Sequence, residues 1–324
     1  RVATDHARRR RFNALDLANV AWAFAAKPGG GGGDELWRAL SDAVILSENG
    51  KLSDAFNARG VATTAWAFAK AGAVSDAALF ETLARRARET LKSRPDDDNP
   101  AAARCVPQDV ANIAWAFAKA CHADDALFDA VAARVRTSTA GFNTQDLVNV
   151  AWAFAKTGRG VGDDGDRASF AAISEALLAL PGGTFDALTA PQLANVAWAF
   201  AKANDAGGGS TRGGASSSSI SSISSPFASL FAALARSAAS RANDFSAQEL
   251  TDVAWAFANA GCVDGRLFAA FARRAETLAD DFDDEELDNA EWAFARAGQH
   301  GIAKKLKRLK AGKKKNGGGG GGGG

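Results

Sequence analysis

Apolar positions recur along this chain with a helical period. In residues 144–156, Leu147, Val150, Ala151 and Phe154 fall within one arc at about 100° per residue. That arc predicts a helix whose core face packs on its own partner helix. The opposite side carries Gln145, Asn149, Trp152 and Lys156. A second type of segment carries a plainer stripe, such as Leu79, Phe80, Leu83, Ala87 and Leu91. No stretch alternates with period two for long enough to read as a strand.

The first type of segment repeats. The string WAFA occurs seven times, with Trp at 22, 66, 115, 152, 198, 255 and 292, so the spacings are 44, 49, 37, 46, 57 and 37. The minimal unit is therefore 37 residues, and the excess falls in Gly29–Gly33, Arg94–Arg104, Gly158–Asp166 and Gly207–Ser225. Insertions that preserve one register are loops hung on a repeated frame. Cap residues mark where each first helix begins: Asn13, Asn57, Asn143, Thr189, Ser246 and Asp283. Asp16, Asp146, Gln192, Glu249 and Glu286 follow three residues later and suit a capping box. The third repeat offers Pro107 at the first helical position in place of a cap. Gly72, Gly158, Gly261 and Gly298 close the helices. Second helices start near Asp76, Asp124 and Asp264. The expected fold is all-α: a right-handed α-solenoid of about seven helix-turn-helix repeats. It spans 12–298, with a basic segment 1–11 before it, a flexible Gly/Ser insertion at 207–225, and a basic, Gly-rich tail at 299–324.

Charge changes the picture only once it is located. The formal net charge is +1. Residues 1–11 hold five Arg and one Asp, and 299–324 hold eight Lys or Arg and no acid, which leaves 25 basic and 36 acidic residues between them. A net of −11 in the array excludes a generic polyanion-binding surface. Many of those carboxylates stand at helix starts, where they offset the helix dipole. Arg8–Arg11 fits the remnant of a transit segment, and the chain, lacking an initiator Met, reads as a fragment or a processed product. Ile302, Leu306 and Leu309 form one apolar side of a last basic helix that could cap the array, add phosphate contacts or resemble a nuclear import signal.

Stacked repeats align equivalent positions into ladders along one surface. The amide ladder is Asn19, Asn112, Asn149, Asn195 and Asn289, with Thr63 and Asp252 as exceptions. The basic ladder is Lys70, Lys119, Lys156, Lys202 and Arg296, broken by Ala26 and Asn259. Between them runs Trp, whose bulk suits a wedge between repeats. Packing alone does not require Asn and Lys in register with Trp; an extended polymer does use such rows.

The recurring (L/V)xN(V/I)AWAFAK segment resembles the octotricopeptide-type repeats of algal organelle proteins and the related repeats of RAP-domain and FAST-kinase-domain proteins, over roughly residues 12–298. The resemblance implies sequence-selective binding of single-stranded organellar RNA, in support of transcript stability, processing or translation, inside a mitochondrial matrix or chloroplast stroma. It implies that the first helices face RNA, so that Asn19, Lys70, Asn112, Lys119, Asn149, Lys156, Asn195, Lys202, Asn289 and Arg296 lie at the interface. The residues after the array, a Lys-rich segment and eight Gly, do not read as a RAP-like domain, so the resemblance does not extend to a nuclease-like or processing activity. The implied partners are RNA and other ribonucleoprotein components, with no cofactor, small-molecule substrate or membrane.

The main rival is an armadillo-like solenoid that holds an extended basic peptide, for which an acidic array is suited. A scaffold that assembles a ribonucleoprotein without touching RNA is a third reading. A positive potential along the Asn row favours RNA and a negative one favours peptide. Enzyme signatures are weak. Gly160–Gly165 matches GxGxxG in a loop with no strand before it. Cys121 and His122 are adjacent but have no second ligand pair at metal spacing. His6 and His300 stand near the termini, and Asp163, Asp164 and Asp166 do not make a calcium loop. The chain is expected to be a binder rather than a catalyst.

Overall fold

The computed structural model describes residues 2–8, 12–27, 31–45, 56–92, 105–160, 162–180, 185–205 and 227–317. The insertion at 207–225 and Arg9–Arg11 lie outside these residues. Contacts divide the chain into two compact units, Arg1–Thr157 and Gly158–Gly324. Unit 1 holds α1 (Val2–Arg8), α2 (Ala14–Ala25), α3 (Asp34–Ile45), α4 (Ala58–Ala71), α5 (Ala77–Lys92), α6 (Pro107–Lys119), α7 (Asp125–Thr137) and α8 (Thr144–Lys156). Unit 2 holds α9 (Asp164–Leu178), α10 (Ala190–Asp205), α11 (Ala228–Ser240), α12 (Ala247–Asn259), α13 (Gly265–Thr277), α14 (Asp284–Arg296) and α15 (His300–Gly317). The fold is all-α, with no strand among the described residues. None of these helices is long and apolar enough to cross a membrane.

The helix boundaries follow from local chemistry. Asn13, Asn143, Ser246 and Asp283 each accept from the backbone N–H three residues on, while Asp16, Asp146, Glu249 and Glu286 reach back to the cap's own N–H. Two of the four orphan donors at each helix start are thereby paired. Where Val106 has no oxygen to offer, the Asp109 carboxylate still accepts from the Val106 N–H at 3.2 Å. At the other end Gly72, Gly261 and Gly298 take positive φ, and the next residue donates back to the carbonyl of Phe68, Phe257 or Phe294. This is the Schellman closure, which demands a left-handed residue. In the third repeat that residue is Cys121, at φ 58°.

Each unit is a two-layer stack of helix pairs. In unit 1 the first helices α2, α4, α6 and α8 pack side by side, and α3, α5 and α7 form the second layer. In unit 2 α10, α12 and α14 pack in the same way, with α11 against α13. The sequence pattern predicts that a first helix buries its core face on its own second helix. α2, α4, α6, α10 and α12 do contact their own second helices, but the largest contact of a first helix is with neighbouring first helices, and its WAFA phenylalanine docks on the second helix of the preceding repeat. Phe68 meets Trp37 at 5.0 Å between ring centroids, Phe117 meets Phe80 at 5.5 Å, and Phe154 meets Phe128 at 6.2 Å. In unit 2 the same pairs are Phe200 with Phe170, Phe257 with Phe231 and Phe294 with Phe268. Most are edge-on, the geometry favoured by the ring quadrupole. Alanine dominates the rest of the motif because adjacent helix backbones must approach closely. Ala116, Ala153, Ala199 and Ala256 are fully buried.

A recurring arginine closes each pair from the second layer. Arg86, Arg134 and Arg274 donate to the carbonyls of Phe56, Cys105 and Phe245, each the residue before a first-helix cap. Arg241 does the same for Leu188 at 2.6 Å. These carbonyls lie outside any helix ladder, and a charged donor satisfies them at the point where the chain turns inward.

The basic C-terminal segment is structured over much of its length. α15 packs on α14 as extensively as α12 does, burying Ile302 and Leu306. Lys305 pairs with Glu276, Lys307 with Glu291 and Lys310 with Asp288, while Lys313 donates to the Asp280 and Phe282 carbonyls. It therefore occupies the free side of the last first helix and covers it.

Candidate nucleic-acid interface

Within each unit, side-by-side packing of first helices buries the flanks at which they meet and leaves one ridge in solvent. That ridge carries the predicted rows. In unit 1, Asn19 is exposed on α2, and Asn112 and Asn149 are half-buried on α6 and α8. Gln145 Nε2 donates to Asn149 Oδ1 at 2.7 Å, one turn along the same helix, which orients the Asn149 amide. Lys70, Lys119 and Lys156 are exposed at the C-terminal ends of α4, α6 and α8, with no ion pair among the described residues. Each stands where a cation also offsets the negative end of the helix dipole.

In unit 1, Trp66, Trp115 and Trp152 form a strip rather than buried wedges. Trp66 and Trp115 lie 6.4 Å apart at 34°, and Trp115 and Trp152 lie 6.5 Å apart at 33°. All three are half-buried, so each ring packs on its neighbour and still presents part of its surface to solvent. Trp22 is more open, at 52%.

Unit 1 has a further cation that the ladders omit. Arg59, seven residues before Trp66, is exposed at the opposite end of α4 from Lys70. The position is occupied by Gln108 and Gln145 in the next two repeats, so counting back from Trp would have found it. Along these four row positions on α4, α6 and α8 there is no carboxylate. The nearby Asp109 and Asp146 are buried as helix caps, and burial pushes both above the usual carboxylate range against the pull of their backbone donors.

Unit 2 places the same rows in a different electrostatic setting. Asn195 and Asn289 are exposed, and Trp198 and Trp255 are half-buried. Lys202 is half-buried, with its Nζ 5.0 Å from the Trp255 ring centroid. Arg296 stacks over its own Trp292 at 5.5 Å and donates from Nε to the Ala258 carbonyl at 2.9 Å, closing the end of the neighbouring first helix. Of the two predicted cations here, one covers an indole and the other caps a helix. Asp252 occupies the amide position of α12, and burial, Glu286 and Glu249 together push its carboxyl up to about 6. Glu285 occupies the outer row position of α14.

His122, Asp163 and Asp166 have structural partners, and Cys105 is buried. His122 stacks flat on Phe80 at 4.5 Å and places Nε2 2.8 Å from the Val74 carbonyl, an acceptor, so that nitrogen carries the proton. Burial pushes the Cys105 thiol up to about 12. Asp163 caps α9, and Asp166 pairs with Arg159 at 2.9 Å. Among the described residues no group of three His, Cys, Asp or Glu could hold a metal ion. Compared with known proteins, the chain matches no family model and no curated protein.

Proposed function

We propose that this protein binds single-stranded RNA along the ridge of its first helices. The observation that carries the reading is the unit 1 ridge: exposed Lys70, Lys119 and Lys156, one per repeat, beside a half-exposed Trp strip and no carboxylate. Cations at a regular pitch suit a phosphate backbone. Partly exposed indole faces suit unstacked bases, each such contact contributing about 1–3 kcal/mol. The amides of Asn112 and Asn149 supply donors and acceptors for base edges, the basis of sequence selectivity. The resemblance of the repeats to organellar RNA-binding proteins agrees with this chemistry and suggests a role in transcript stability, processing or translation within an organelle.

The test uses the full chain, because removing 299–324 would strip Ile302 and Leu306 from the core of unit 2. Single-stranded RNA should bind with an affinity that falls steeply with salt, and duplex RNA of the same sequence should bind weakly. Changing Lys70, Lys119 and Lys156 together to Gln should flatten the plot of log affinity against log salt by about 2 units, at about 0.7 per phosphate. Unit 2 favours the peptide reading in one respect, since Asp252 and Glu285 sit in its row. Failure to bind RNA, with tight capture of a Lys- and Arg-rich peptide, would transfer the assignment to a peptide-binding solenoid.

A further inference from the structure

The two units share one repeat but not one surface. On α4, α6 and α8 every charge along the ridge is positive: Arg59, Lys70, Lys119 and Lys156. On α12 and α14 the equivalent positions hold Asp252 in place of Asn, Asn259 in place of Lys and Glu285 in place of Gln. The two cations at row positions of unit 2 are engaged, Arg296 by the Ala258 carbonyl and Lys202 by the Trp255 face.

We infer that the RNA footprint is confined to unit 1, with Arg59 as a fourth phosphate contact, and that the α12–α14 ridge excludes the strand. The inference rests on the RNA reading above and specifies where on the chain it applies. Phosphates repel carboxylates over distances approaching the Debye length, about 10 Å at 0.1 M salt. Burial and the nearby charges of Glu286 and Glu249 together raise the Asp252 carboxyl, so three carboxylates are gathered on this part of the ridge. The acids that α15 neutralises, Asp288 and Glu291, are different ones. Glu249, Asp252, Glu285 and Glu286 have no cation paired with them among the described residues.

Arg59 has a role distinct from that of the lysines. It stands at the N-terminal end of its helix, where a cation opposes the dipole and therefore does nothing for helix stability. It also faces solvent near the first turn, two helical turns from Trp66, so a strand crossing the ridge obliquely can meet Arg59 and a lysine on either side of the Trp strip. Its charge also offsets part of the rise that burial imposes on the carboxyl of the buried Asp109.

Two measurements test this on the full chain with an unstructured oligouridylate as probe. In salt titrations, Arg59→Gln should flatten the slope by about 0.7, the effect of losing one phosphate contact on a single strand. Lys202→Gln should leave the slope unchanged. Ultraviolet crosslinking followed by peptide mass spectrometry should place the uridine adducts on peptides containing Trp66, Trp115 or Trp152. Peptides containing Trp255 or Trp292 should carry none. Equal slope changes for Arg59→Gln and Lys202→Gln, or equal crosslinking at Trp255, would overturn the confinement while leaving RNA binding intact. An oligouridylate that fails to bind while a mixed-sequence RNA binds, with crosslinks spread over both units, would overturn it too. Absence of binding to any single strand removes the RNA reading itself.

Discussion

At the scale of single residues, the repeats reuse one set of local solutions, and the exceptions are informative. Asn13, Asn57, Asn143, Ser246 and Asp283 were readable as caps because an oxygen on a short side chain ahead of an apolar period has few other uses. Gly72, Gly261 and Gly298 were readable because the αL closure needs no Cβ there. Cys121 was not, since nothing local marks a Cys as left-handed; only its register with those glycines does. An L residue in that conformation costs roughly 1–2 kcal/mol relative to glycine, and the Cys121 side chain is exposed, so replacing it loses no packing. Cys121→Gly should therefore stabilise unit 1 by about 1 kcal/mol, the gain being partly offset by the greater freedom of glycine in the unfolded chain. Urea melts at matched m-values measure it. An unchanged or lower midpoint would mean that the thiol has a contact worth as much as the strain.

Helical periodicity identifies which face of an element is buried, but not what covers it. The arc of Leu147, Val150, Ala151 and Phe154 is buried throughout. Its cover includes α6 and, at Phe154, the Phe128 ring of the preceding repeat, a choice made by loop length and stacking, which local period does not encode. The Phe80–Phe117 pair illustrates the outcome: both rings are at 1% exposure and meet edge-on across a repeat boundary. Trp115, two residues before Phe117, keeps part of its ring in solvent. Its bulk suggested a buried wedge, yet the cost of its loss is set by what it touches. Phe117→Ala should destabilise unit 1 by about 3–5 kcal/mol, the range for emptying a buried aromatic site. Trp115→Ala should cost less than half of that and should weaken RNA binding instead. Chemical denaturation of the two variants, alongside RNA titration, separates the roles. Comparable destabilisation by both, with RNA affinity intact, would make the Trp strip structural. The clamp formed by Arg86, Arg134, Arg241 and Arg274 was equally hidden, because an Arg on a helix reads as a solvated charge until its acceptor is seen.

At the scale of the molecule, repetition turns local rules into long surfaces, and small departures from the repeat decide where each surface works. A 37-residue register predicts aligned rows, and first helices stack in order within each unit; it cannot say that Lys202 and Arg296 are occupied by neighbours, because those contacts cross repeats. Repetition also says which segments the frame can do without. Three first helices pass to their second helices through five residues each, 72–76, 120–124 and 260–264, whereas α10 and α11 are separated by 206–227. α10 and α11 nevertheless pack together as the other pairs do, with Phe227 against Phe170 and Phe200. A short connection therefore suffices to reach between them. Replacing 206–226 by a Gly–Ser link of about four residues, with Phe227 retained, reduces the entropy lost on closing the loop by about 1 kcal/mol, since that cost grows as the logarithm of length. In an array where each repeat leans mainly on its neighbours, nothing else in unit 2 should respond. The melting temperature should stay level or rise slightly, and RNA affinity, if the proposed unit 1 footprint holds, should stay within twofold. A fall of many degrees would show that the excised segment packs on the array. A loss of RNA binding with the melting temperature preserved would place part of the binding surface in the insertion itself.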